Sequence, residues 1–297
     1  MRSTLKVWTG LGVATALVGA GLAGCAGENS DSSEGDEASA EASLAGEGGE
    51  GERGEGEGGE GEGGEGEGGE GEGGEGEGGE GGVSVAEAVS DPVIYGAALA
   101  IVEAHAVAAR DAYNAGKSDE AAEMFGHPVS EVLADMAPVF DELGVEDFTA
   151  EMNAASAAAL EPDNTQGVES AYQAILTRLK EAGAKGPAGD ASAGAVAAGI
   201  VSDQIDRATT MYGQAAGTDI YPPYLDGYGF YKAASAVFER SGASIETYNS
   251  GLHSDIKAAL GLLGEAYPSA ERPAALEVEQ GQLLGAASKV KLGLPTT

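Results

Sequence analysis

From residue 92 onward the apolar side chains of this chain recur every three or four positions, and β-branched residues do not alternate. That spacing predicts helices throughout. Asp91-Pro92 reads as a cap and first helical residue, opening a helix through Tyr113 that stops near Gly116. Its stripe is Ile94, Ala98, Ile101, His105, Ala108 and Ala112. Ser118 caps a short piece to Phe125, and Pro128 is read as opening the next helix. That helix carries Val132, Met136 and Phe140 on one side, ends at Gly144, and should kink at Pro138. Further helices are expected over about 146–161, 165–182, 191–216, 223–240, 244–266 and 272–292, with a break at 183–189.

The segments on either side of that break are alike. Ile101-Val102 with Tyr113 matches Ile200-Val201 with Tyr212, and Val139-Phe140 with Gly144 matches Val237-Phe238 with Gly242. Pro128 and Pro223 are both read as opening the second main helix of their half. The predicted fold is therefore all-α, with two packed antiparallel helical bundles, 83–185 and 186–297, related by internal duplication.

What precedes the helices has a different character. Arg2 and Lys6 are followed by an apolar run from Val7 to Leu22 and then by Leu22-Ala23-Gly24-Cys25. A basic start, a short apolar region and small residues before a cut describe a secretory signal over 1–24. The last four residues resemble the bacterial lipobox. That resemblance implies cleavage before Cys25, a diacylglycerol thioether on its sulfur and acylation of its amino group, with Cys25 as the lipidation site. Ala26, in place of Asp, favours by the same resemblance the outer membrane facing the periplasm. The apolar run is shorter than a bilayer span and is interrupted by Gly10, Gly12, Gly19 and Gly21.

Between Cys25 and residue 82 the chain is almost all glycine, glutamate and serine, and Gly-Glu-Gly-Gly-Glu repeats seven times from Gly46 with one Arg53 replacement. Such a segment has no apolar surface to bury, so the expectation is a disordered acidic linker tethering the folded part to the membrane. Its glutamates are also candidate weak ligands for divalent cations.

Charge narrows the function further. The formal net charge is −35, and from residue 83 on there are 30 acidic side chains against 12 Lys and Arg. A surface this acidic excludes nucleic acid as a partner and favours cations or basic surfaces. Cys25 is the only cysteine, which rules out a disulfide or a multi-thiolate metal site within one chain. No nucleophile–base spacing or metalloprotease motif is present, so the reading is non-enzymatic.

Two clusters carry candidate chemistry. His127, Glu131 and Asp135 step along one helical face, and Glu103 and His105 on the preceding helix can complete an imidazole–carboxylate set for a metal. The same residues also read as a capped helix with acids favourably placed near its amino end, and as a hydrogen-bonded core histidine. The second cluster is Tyr224, Tyr228 and Tyr231 with Asp226, an aromatic face that can hold a ligand or a ferric ion through phenolates, or simply pack between helices.

With a lipobox, an acidic tether and duplicated bundles, the chain resembles the imelysin-like periplasmic proteins associated with bacterial iron uptake. That family has a helical double bundle and a Gly-x-His-x-x-Glu motif. Here Gly126 and His127 are adjacent and the acid follows four residues on, at Glu131. The resemblance implies a role for His127 and Glu131 in binding iron or another divalent metal, with an uptake-system protein as partner. The competing expectation is a structural or protein-interaction lipoprotein with no metal site. The lipobox reading is tested directly: Cys25→Ser should move the protein from the membrane fraction to the soluble fraction. Unchanged membrane association after detergent-free washing refutes it.

Overall fold

The computed structural model describes residues 84–295. The expected signal, Cys25 and the Gly/Glu segment lie outside them. Among the described residues the chain forms α1 (Val85–Ala88), α2 (Pro92–Asn114), α3 (Ser118–Pro128), a π-helical segment (Val129–Leu133), α4 (Ala134–Leu143), α5 (Thr149–Leu160) and α6 (Thr165–Gly183). It continues through α7 (Ala193–Gly217), α8 (Pro222–Tyr248), α9 (Ser250–Ala266) and α10 (Gln280–Leu292). No strand occurs among these residues, and the predicted all-α fold is what the structure has.

The centre of the molecule is α2. Asp91 caps it as expected, its Oδ1 accepting from the amides of Val93 at 2.7 Å and Ile94 at 3.3 Å. Of its 23 residues 15 are buried, so it is enclosed on nearly every side. By length and composition alone it could cross a membrane, and here that apolarity is spent on protein neighbours. It packs on α3 and α6, and also on α7 and α8. One continuous core therefore joins the helices before and after the 184–192 connection.

Small residues bring these helices together. α8 runs antiparallel to α2, and a Cβ added at Gly229 would come within 2.5 Å of the Ala104 carbonyl oxygen and 3.1 Å of the Ala108 methyl. On α7, a Cβ at Gly199 would lie 2.7 Å from the Val93 side chain. The α7–α8 hairpin is the most extensive pairing of all, with Gly194 lying against the Ser244 carbonyl.

Three boundaries differ from the sequence reading. Pro128 does not open a helix: it is the last residue of α3 in a continuous helical run, and the π segment follows it at once. There the Ala134 amide reaches back five residues to the Val129 carbonyl. The wider turn accommodates a proline that cannot donate to the residue four back. Pro223, by contrast, is the second residue of α8, so the two prolines are not equivalent. Next, α8 runs through Gly242 to Tyr248, and the break falls at Asn249, whose Oδ1 accepts from the Gly251 and Leu252 amides.

The largest departure is residues 267–279, expected to be partly helical and in fact irregular. Distant side chains hold this strap. Tyr221 donates to the Ala270 carbonyl at 2.7 Å, Tyr224 to Ser269 at 2.8 Å, and Tyr267 to Ala208 at 2.7 Å. The Val278 amide donates to the Tyr212 hydroxyl at 3.0 Å. Arg272 caps the end of α7 by donating to the carbonyls of Ala215 and Thr218.

The close approach of α2 and α8 sets a stability test. Gly229→Ala inserts a methyl against backbone that cannot rotate away, and should cost about 1–3 kcal/mol in urea unfolding. Gly261→Ala, in open space on α9, should instead stabilise by up to about 1 kcal/mol through helix propensity.

Candidate metal centre

The α2–α8 contact places an unusual group of side chains in the interior. His105 is 1% exposed and follows Ala104 on α2. Its Nδ1 lies 2.9 Å from the Ile101 carbonyl. A carbonyl only accepts, so Nδ1 carries the hydrogen and Nε2 of the neutral ring keeps its lone pair. Among the described residues that Nε2 has no hydrogen-bond partner, and it points toward two carboxylates, Asp226 Oδ1 at 3.8 Å and Glu131 Oε2 at 4.0 Å.

Each neighbour comes from a different element. Asp226, on α8, is 2% exposed. Glu131 projects from the π segment. His127, near the end of α3, stands edge-on to His105 with ring centroids 5.8 Å apart. Its Nδ1 is buried without a hydrogen-bond partner among the described residues, while its Nε2 lies 3.7 Å from Glu123. Phe230 closes the far side of His105 at 5.7 Å. One ligand atom from each of His105, His127 and Asp226 lies within 4.8 Å of the others.

These donors suit a borderline metal ion. Around a tetrahedral ion with bonds of about 2.0–2.2 Å, neighbouring ligand atoms stand about 3.3–3.6 Å apart, so the side chains need draw in by only about 1 Å. Imidazole with carboxylate matches zinc or ferrous iron better than calcium or magnesium, which prefer oxygen alone. Burial holds the His105 pKa down to about 4, and the positive charge of Arg207 works in the same direction. The ring is therefore neutral at pH 7, the form that can donate to a metal. Arg207, on α7, also bonds Asp203 at 2.9 Å.

Beside His127 is an opening lined by Glu120, Glu123, Met124, Tyr221 and Leu225, with a volume of about 10 Å³. That is room for roughly one water molecule.

Other residues expected at a site are elsewhere. Glu103 is turned to Arg240, which grips both its carboxylate oxygens at 2.9 and 3.1 Å. Asp135 is exposed on α4, outside the cluster. The tyrosines of α8 are engaged in packing and hydrogen bonds. Tyr224 is bound to the strap, and Tyr228 donates to Asp111 Oδ2 at 2.6 Å. Burial raises the Tyr224 pKa to about 12 and raises that of Tyr228 further, so in the metal-free protein both phenols are protonated at neutral pH. Tyr231 stacks parallel to Tyr267 at 6.4 Å. Of that group only Asp226 joins the histidines.

In the sequence Asp226 stands among the tyrosines of α8, and nothing in the local pattern singles out Arg207. The available signal was a single carboxylate in an otherwise apolar, glycine-rich stretch of α8. Comparison of the chain with protein-family models, curated proteins and solved structures finds no match.

Burial of His105 has a consequence in acid. The unfolded chain takes up this proton near 6.5 and the folded one near 4, so the folded state loses stability as pH falls between those values and keeps it above them. In urea unfolding at a series of pH values, His105→Gln should flatten that part of the profile. An unchanged slope would show that His105 titrates normally in the fold.

Proposed function

We propose that this protein binds a divalent metal cation, ferrous iron being the leading candidate, between α2, α3 and α8. It does so as a lipid-anchored extracytoplasmic protein serving cation uptake. The observation that supports the metal reading is the convergence of His105, His127 and Asp226, from three separate helices, around a buried imidazole nitrogen with no hydrogen-bond partner among the described residues. Burying a ring nitrogen without a partner costs stability, and a metal ion compensates by using its lone pair. Glu131, within 4.0 Å of the same nitrogen, supplies a further oxygen.

The size of the opening speaks to the cargo. A gap of about 10 Å³ beside His127 admits an ion shedding its water. A bulky chelate or porphyrin does not fit without rearrangement. Glu120 and Glu123 at that opening provide negative charge on the path inward. The membrane and uptake elements of the proposal rest on the Leu22-Ala23-Gly24-Cys25 pattern and the acidic composition.

Calorimetric titration with ferrous iron under anaerobic conditions, and with zinc and calcium, tests the site. The acidic linker can bind ions weakly, so the comparison is between the native chain and Asp226→Asn or His127→Ala carrying the same linker. Iron or zinc should bind one per chain with Kd below about 10 μM, near −7 kcal/mol. Each variant should weaken that by about tenfold or more, with calcium confined to the weak linker phase. Identical iron and zinc isotherms in native and variant chains would favour the structural lipoprotein instead.

A further inference from the structure

A larger cavity shares no lining residue with the histidine cluster. It lies where α2, α6, α7 and α8 meet and has a volume of about 670 Å³, within the range of small-molecule sites. Most of its wall is apolar, built by Leu99, Leu176, Leu179, Val196, Ile200 and Val237. Gly96, Ala100 and Gly183 also line it and leave the interior open.

Among the described residues three charged side chains reach this space: Glu103, Lys180 and Arg240. Two cancel, because Glu103 holds Arg240 through both oxygens. Lys180 is left, exposed on α6 and without an ion pair among the described residues. In a chain with 30 acidic side chains and 12 basic ones from residue 83 on, a lysine at the rim of an apolar cavity whose one lining carboxylate, Glu103, is already held by Arg240 marks where an anion can sit. Walls from four helices suit a slender flexible tail better than a second helix, which is about 10 Å across with its side chains.

We propose that this cavity binds a single-chain amphiphile with an anionic head, of the alkyl carboxylate class. The alkyl tail lies along the leucine and valine walls and the carboxylate meets Lys180 at the rim. The tail supplies affinity by leaving water, and the lysine supplies the preference for a negative head. This second site is independent of the metal proposal.

The test uses the chain from Ala26 onward, which contains every described residue and needs no detergent. Dodecanoate, dodecyltrimethylammonium and dodecanol are titrated below their aggregation concentrations, by calorimetry and by displacement of an anilinonaphthalene dye. Dodecanoate should bind one per chain and more tightly than the cationic analogue. Lys180→Glu, an exposed substitution, should weaken dodecanoate by about tenfold and reverse the preference between the two heads. Val196→Trp should fill the space and abolish binding of all three, with the helical circular dichroism and melting temperature unchanged. Asp226→Asn should leave dodecanoate binding as it was. The proposal is overturned if dodecanoate does not bind, if it binds no better than the cationic analogue, or if Lys180→Glu has no effect. It is also overturned if Lys180 serves only flotation with phosphatidylglycerol vesicles, which would make the rim a lipid-surface contact.

Discussion

The interior arrangement depends on a contact in which no side chain stands between two helices. At Gly229 the backbone of α8 rests on the backbone of α2 at Ala104. Helix axes ordinarily stand 8–10 Å apart because side chains intervene. Their absence here is what lets short groups meet. His105 is the next residue after Ala104, Asp226 lies three residues before Gly229, and the two approach to 3.8 Å. Any bulk at residue 229 would separate α2 from α8 and the imidazole from its carboxylate together. The alanines of α2 extend the same logic along its length, giving up large side chains for dense contact between main chains.

The parts of this fold legible in the sequence are those governed by local rules. Asp91 before Pro92 announces α2, and the stripe Val168, Tyr172, Ile175 and Leu179 announces α6. The parts that escaped are governed by distant partners. Pro128 reads as a helix start because proline usually breaks a helix, and only a π turn built around it says otherwise. Residues 272–279 read as the start of the last helix, yet the Tyr212 hydroxyl on α7 accepts from the Val278 amide and Arg272 turns to the carbonyls at the end of α7. The cluster divides the same way. His127 and Glu131 are found by spacing within one helical run, whereas Asp226 and Arg207 acquire meaning only once α7 and α8 cross α2.

Charge in the interior follows a different rule from charge outside. The surface carries its acidic excess in water, where repulsion is screened. Asp226 is 2% exposed and has no such relief. A buried carboxylate needs compensating positive charge, and Arg207 is near enough to depress the His105 pKa. A cation bound among these groups would share that task with a guanidinium already present. Such a site would hold an ion less tightly than the same ligands without a guanidinium nearby.

The strap over residues 267–279 separates two kinds of order in the molecule. Helices α7 and α8 are secured by their own ladders and by one another. The strap is secured by tyrosine hydroxyls and one guanidinium, groups that release without unwinding a helix. It leads directly into α10, which packs on α7 and α9. Opening the carboxy-terminal part of the fold therefore requires breaking these side-chain bonds and the packing of α10, and no helical ladder. The aromatic ring of Tyr267, wedged among Tyr212, Tyr224 and Tyr231, acts as the latch of that part.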